Sequence, residues 1–286
     1  MTTTTAQPHR VYGPSALGAS PHRFWELTLT LARSEFKLRY FGSVLGYAWS
    51  LMRPILFFGV LYVVFTRLFD LGRGVPNYGV YLLTGIILWN YILESTAQCV
   101  QCLVVREGLL RKIRFPRLVV PLSVSLTAVF NLTMNMIAVL IFTLVSGISP
   151  ALSWLEMIPI LGGFIVMGTG LGMLLCALYV RFRDIQPIWE VLQQMLFYAC
   201  PIMYLASAYK GLEHIAMLNP FAVLLTQMGA ALIHPACVPT YCPMRSASAA
   251  AGGPLHLAIA LVLMFGTLAV GFAVFTHEAP RISENL

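Results

Sequence analysis

One stretch of twelve residues concentrates the charge of this chain: Arg106-Glu107-Gly108-Leu109-Leu110-Arg111-Lys112-Ile113-Arg114-Phe115-Pro116-Arg117. It holds five basic residues and one acid, in a protein of 286 residues of which only 10% are charged. The chemistry open to such a stretch is recognition, not bond-making. Long apolar segments flank it on both sides, so it must lie in water against a membrane face. An excess of Arg and Lys marks that face as cytoplasmic. A basic loop that only orients the protein fits this placement, and so does a docking element for a soluble partner. Arg181-Phe182-Arg183-Asp184 is a second, shorter connection of the same kind. Glu94 is different, because it lies inside an apolar segment. An ionisable group there is a candidate for a transport pathway, or marks a helix end that cytoplasmic water reaches.

Other chemistry is missing. The only lysines are Lys37, Lys112 and Lys210, and none completes a phosphate-binding glycine loop. No HExxH or GxSxG pattern occurs, and the six His are scattered. Cys99 and Cys102 form a CxxC without a second ligand pair, inside a helical apolar pattern, where small packing residues are expected. Cys176 and Cys200 read the same way. Cys237 and Cys242, in a Pro-rich loop on the outer side, are candidates for a disulfide. The chain is 58% hydrophobic with a mean hydropathy of +0.79, well beyond a soluble domain. Its net charge of +7 is no nucleic-acid footprint, because the basic residues gather where loops on one membrane side belong.

These features must be positioned by an all-α polytopic membrane protein. Residues 1–22 read as a disordered cytoplasmic tail. Residues 23–44 form an amphipathic interface helix, with Trp25, Leu29, Ala32, Phe36 and Tyr40 on one side and Glu26, Arg33 and Lys37 on another, and with Glu35 and Arg39 as an i,i+4 pair. Six spans follow within 45–277, at about 45–69, 78–105, 118–145, 158–180, 187–204 and 255–276. Arg53 and Arg67 bracket the core of the first span and can snorkel to the two interfaces. Gly162, Gly163, Gly168, Gly170 and Gly172 in the fourth allow close helix approach. Pro201 interrupts the fifth. Between 203 and 253 a stretch broken at Asn219-Pro220 reads as a re-entrant pair of short helices on the outer side. Residues 278–286 form a short tail, and both ends lie inside. Of the 18 basic residues only Arg67, Arg73, Lys210 and Arg245 fall outside, in keeping with that topology.

Five pieces of the sequence, in order, resemble a known family. They are Ala32-Arg33-Ser34-Glu35-Phe36-Lys37-Leu38-Arg39-Tyr40 with Gly42 to Trp49 and Arg53-Pro54; Arg114-Phe115-Pro116-Arg117 with Val120-Pro121-Leu122; Arg181-Phe182-Arg183-Asp184-Ile185; Pro201-Ile202-Met203-Tyr204; and Asn219-Pro220-Phe221. The family is the permease subunits of type-two ABC exporters for polysaccharides, such as O-antigen, teichoic acid, capsule and cell-wall galactan exporters. Residues 230–254 are longer and richer in Cys, Pro and Ala than the family pattern.

The resemblance implies two copies of this chain in the inner (plasma) membrane with two nucleotide-binding ATPase subunits, which would hold the ATP and magnesium. The cargo would be a polysaccharide on a lipid diphosphate, threaded through a channel between the copies. Arg106, Glu107, Arg111, Lys112, Arg114 and Phe115 would couple to the ATPase, together with Arg181 and Asp184. Trp25, Phe36, Lys37 and Arg39 would belong to the interface helix. Asn219, Pro220 and Phe221 would belong to an outer gate. Sugar rings stack on aromatic faces, so Phe57, Phe58, Tyr62 and Phe65 of the first span and Phe197, Tyr198 and Tyr204 of the fifth are candidates for the glycan path. Two other readings compete: a related permease for a small lipophilic drug or lipid, and a membrane glycosyl- or acyltransferase built on Glu94, Asp184 and Glu190. The export reading predicts no catalytic residue, no metal site and no cofactor in this chain, and no nucleic-acid partner.

Overall fold

The computed structural model describes residues 21–40, 46–70, 75–106, 108, 116–209, 211–233 and 246–279. Among these, all regular structure is helical. Helix α1 is Pro21–Tyr40, α2 is Gly46–Val63 and runs on through a π-turn at Val64–Leu68, α3 is Tyr78–Val105, and α4 is Val119–Val145. A 3-10 turn at Leu152–Glu156 leads into α5, Met157–Arg181, and α6 is Ile185–Ala199. Short elements then follow: a 3-10 turn at Ala206–Tyr209, α7 at Glu213–Ala216, α8 at Pro220–Ile233 and α9 at Ala247–Ala251. The last helix is α10, Pro254–Glu278.

Five of these helices are long and apolar enough to cross a bilayer: Ala48–Leu68, Tyr78–Val105, Val119–Val145, Leu152–Arg181 and Leu257–Glu278. The stretch expected as the fifth span is shorter than read from sequence. α6 has 15 residues, about 22 Å at 1.5 Å per residue against the ~30 Å of a hydrocarbon core. It ends at Cys200, whose extended backbone precedes Pro201, and Pro201 offers no N–H to continue the ladder.

α3 and α5 are the centre of the bundle. The most apolar window of α3 is 78% buried, against 6% for the first long helix and 17% for the last. α3 packs against α4 and α5, and α5 packs against α10. The α5–α10 contact is backbone on backbone. A Cβ on Gly271 would lie 2.2 Å from the carbonyl oxygen of Gly170, and one on Gly170 would lie 2.7 Å from the Cα of Leu268. Glycine is what lets these helices touch. Tyr91 and Cys99 of α3 occupy the space left bare at Gly168 and Gly172.

The segment after α6 folds back on itself. Tyr78 and Tyr81, at the start of α3, donate to the carbonyls of Met203, Pro201 and Tyr204. From there the chain descends until Asn219 donates to the Cys200 sulfur at 3.3 Å. α8 starts at Pro220, where the Asn219 carboxamide oxygen accepts from the Phe221 N–H at 3.0 Å. It climbs back until Ser153 donates to the Ala231 carbonyl and Gln227 to Glu156. α8 is 14 residues long and almost wholly buried, so it packs into the bundle without crossing it.

α1 differs from its sequence-based description in one respect. Its Phe24, Thr28 and Ala32 face is buried, and the helix lies along the first half of α4. Thr127 of α4 donates to the Ala32 carbonyl at 3.3 Å, and Phe36 packs edge-on against Phe130 at 5.8 Å.

Candidate functional site

The basic connections lie at one end of the bundle, where α3 and α5 finish and α4 begins. Of the twelve-residue stretch, Glu107, Arg111, Lys112, Arg114 and Phe115 lie outside the described residues. Arg106 is described, and it reaches back to α1, where it ion-pairs with Glu35; both side chains are about one-fifth exposed. Burial pushes the Glu35 carboxyl above its ordinary value, and the Arg106 charge beside it pulls the other way.

Higher on α3, about 17 Å from its basic end, Glu94 holds a second tie to α1. Arg39 ion-pairs with its carboxylate. Asn131 of α4 donates to the same oxygen at 2.5 Å and Gln98 donates at 3.1 Å. The Asn131 carboxamide oxygen in turn accepts from Tyr40 at 2.7 Å. Glu35 and Arg39, expected to pair along their own helix, are therefore bonded to α3 instead. The reason is desolvation: Glu94 sits among apolar helices and draws the Arg39 guanidinium, since a charge there needs a partner. Sequence spacing signalled Glu94 as unusual. It could not show that Asn131, Gln98 and Tyr40 complete its shell.

The second connection lies beside the first. Gln101 near the end of α3 donates to Gln186 near the start of α6 at 2.5 Å. Between α5 and α6, residues 181–184 are all exposed, with the Arg181 guanidinium 5.3 Å from the Phe182 ring centre. An exposed Phe flanked by Arg and Asp is a compact recognition surface. On the interface helix, Trp25 and Lys37 are exposed, while Phe36 is half-buried against Tyr40 at 4.8 Å.

The candidate glycan-path aromatics separate into two groups on different sides of α2. Phe57 is exposed and meets Phe197 of α6 at 6.2 Å, and Phe197 also meets Trp89 of α3 and Tyr198. Tyr198 is exposed. Phe58 and Tyr62 turn the other way, toward Phe142 of α4 and Tyr78 of α3, and line a cavity of about 670 Å³ with Thr66 and Asp70. Phe65 packs with Phe69 at 5.6 Å. Tyr204 donates to the Tyr198 carbonyl at 2.7 Å, which ties the turn after α6 to its own helix. Phe221 is buried between Trp89 and Phe164. Sequence reasoning missed Trp89, the residue that links Phe221 to Phe197; its only signal was its place in an apolar run. Cys237 and Cys242 lie outside the described residues. Among the described residues, no three His, Cys, Asp or Glu gather as a metal site would need.

Long apolar helices packed around the short buried α8, with charged connections at one end, are the build of a multi-pass membrane protein. Residues 26–232 match the model of the ABC-2 type transporter family, so the chain belongs to that family. It is a multi-pass protein of the inner membrane and a transport subunit, not an enzyme. It is similar to the O-antigen export system permease protein RfbA of Klebsiella pneumoniae, 28% identical over 203 residues, 70% of this chain and 78% of that one. It is also similar to the protein of that name from Myxococcus xanthus, 29% identical over 210 residues, 72% of this chain and 79% of that one.

Proposed function

We propose that this chain is the permease of an ATP-driven exporter that moves a lipid-linked polysaccharide from the cytoplasm to the outer side of the membrane. Two copies would enclose the channel, and two ATPase subunits would dock at the basic end, which the excess of Arg and Lys makes cytoplasmic. The observation that carries the reading is the aromatic edge shared by α2 and α6, where Phe57 of α2, the least covered long helix, meets Phe197 of α6 with the exposed Tyr198 beside it. Aromatic faces offer sugar rings a stacking surface. A second copy laid against α2 would turn that edge into a lumen wall. The names of the similar proteins, which call them O-antigen export permeases, support a polysaccharide as cargo. In this reading the Phe182 turn and the 106–117 stretch receive the ATPase, and the Arg106–Glu35 and Arg39–Glu94 pairs pass its movement to α1. Arginines at that end also suit the diphosphate of a lipid carrier.

The test has two arms. Co-purification with the neighbouring ATPase should give a two-plus-two complex that Arg111→Glu/Lys112→Glu breaks apart. Phe57→Ala/Tyr198→Ala should leave that complex intact and still hydrolysing ATP, yet lower glycan export at least tenfold. A chain that captures no ATPase would overturn the exporter reading. Undiminished export in the aromatic double variant would overturn the path.

A further inference from the structure

A second cavity, of about 700 Å³, opens on a different side of the bundle. Its walls come from the start of α1 (Trp25), the start of α4 (Leu118, Leu122), and α5 and α10 (Met173, Leu268, Phe272). Thr169 is the one polar side chain among its lining residues. The cavity extends along α10 from Phe265 to Phe272, about 10 Å at helical rise. The groove lies between about 9 and 20 Å from the Glu278 end of that helix, so it runs through the inner leaflet to about the midplane of a ~30 Å core. An apolar groove running parallel to the helices down to the midplane has the shape of an acyl chain.

Arginines stand beside lining residues in the chain, and their charge is complementary to a phosphate. Arg23 precedes Trp25 on α1, and its side chain is exposed. Arg117 precedes Leu118. Its Nη1 is buried with no hydrogen-bond partner among the described residues, and burial holds its pKa below the ordinary arginine value. The acids nearby are Glu26, which faces His22 at 3.5 Å, and Glu278 at the end of α10. Trp25 is exposed at the mouth, where an indole favours the headgroup level.

The geometry points to a binding site for an anionic glycerophospholipid of the inner leaflet, with an acyl chain in the α1–α4–α5–α10 groove and its phosphate held by Arg23 and Arg117. The occupant is a bilayer lipid and not the cargo, because the groove is walled by α5 and α10 whereas the aromatic edge assigned to the glycan lies on α2 and α6. It is not a second copy, because an apolar cavity of about 700 Å³ whose neighbouring charges among the described residues include Arg23 and Arg117 suits a headed chain better than a helix. A lipid seated there would add to the buried cluster that holds Phe24 of α1 and Phe275 of α10, and so fasten the two helices further.

The probe is phosphatidylglycerol, titrated into the full-length chain in detergent with whatever subunits accompany it, and compared with phosphatidylcholine by native mass spectrometry. Phosphatidylglycerol should be retained and phosphatidylcholine washed away. Arg23→Gln and Arg117→Gln should each weaken retention roughly fivefold. Ala269→Trp, at an exposed position lining the groove, should abolish it while helicity is unchanged. Phosphatidylglycerol with brominated chains should quench Trp25, read as the difference between wild type and Trp25→Phe. Equal retention of the two lipids, full retention by folded Ala269→Trp, or recovery of a glycan-bearing diphosphate lipid in the groove would each overturn the proposal. If Ala269→Trp does not fold, the two Arg variants and the quenching decide it. Loss of transport with lipid binding intact would bear on the export reading alone.

Discussion

Replacing Glu94 separates a structural tie from a transport pathway. Its carboxylate takes an ion pair from Arg39 and hydrogen bonds from Asn131 and Gln98, with its side chain 26% exposed and that of Arg39 42% exposed. Interhelical polar contacts in membranes average ~0.6 kcal/mol and reach ~1.7. Three such contacts make Glu94→Ala cost about 2 kcal/mol. Glu94→Gln keeps an oxygen that can accept from Asn131 and Gln98 and loses only the ionic part, so it should cost about 1 kcal/mol, given how far Arg39 is solvated. The Arg39→Ala/Glu94→Ala cycle should then show a coupling of about 1 kcal/mol, above the ~0.3–0.5 kcal/mol within which independent sites add. Reversible unfolding in mixed detergent–lipid micelles measures all four corners, and export measured in cells gives the functional corner. The tie predicts that export falls only as far as α1 loosens. An additive cycle would refute the pairing. Glu94→Gln that is fully stable but inactive in export would instead place the carboxylate on the path of the cargo or of an ion.

Three further outcomes follow from the packing. Gly271→Leu should cost at least 1–3 kcal/mol, because its side chain must enter the Gly170 backbone; monodispersity and thermal stability in detergent report it, and a variant as stable as wild type would contradict the α5–α10 contact. The Glu35 carboxyl has a raised pKa, so the folded chain holds that proton more tightly than the unfolded chain. Its contribution is complete below the ordinary carboxylate value and is lost as pH rises through the raised one. Glu35→Gln should therefore flatten the stability profile between acidic and neutral pH, and an unchanged slope would count against the burial of that group. Tyr81→Phe removes the hydroxyl bonded to the Pro201 and Tyr204 carbonyls and should cost about 1–2 kcal/mol, with faster hydrogen exchange across residues 202–209.

Much of the helical layout was legible because hydropathy and turn chemistry are local. Asn219-Pro220 starts α8 for reasons contained in those two residues: a carboxamide that caps and a proline at the first helical position. The fifth expected span was read too long because its apolar residues continue past Ala199, while the helix stops where Pro201 cannot donate. The aromatic stripe of α2 was visible as spacing, but spacing could not divide Phe57 from Phe58. One residue along a helix is a turn of about 100°, and which side meets α6 and which meets α4 depends on neighbours far away in the chain.

By itself the sequence determined the class of protein. Its sparse charge, its basic connections and its charge-free segments require membrane-spanning helices with one basic end, whatever their arrangement, because hydrocarbon excludes ions and unpaired backbone. Only the tertiary structure decided which charges meet. Arg39 and Glu94 are 55 positions apart, and nothing local to either marks the other as its partner. Their pairing, the Arg106–Glu35 tie and the groove between α1 and α10 exist because α1 packs along α4. That placement is set by the burial of Phe24, Thr28 and Ala32 against helices that the chain builds later.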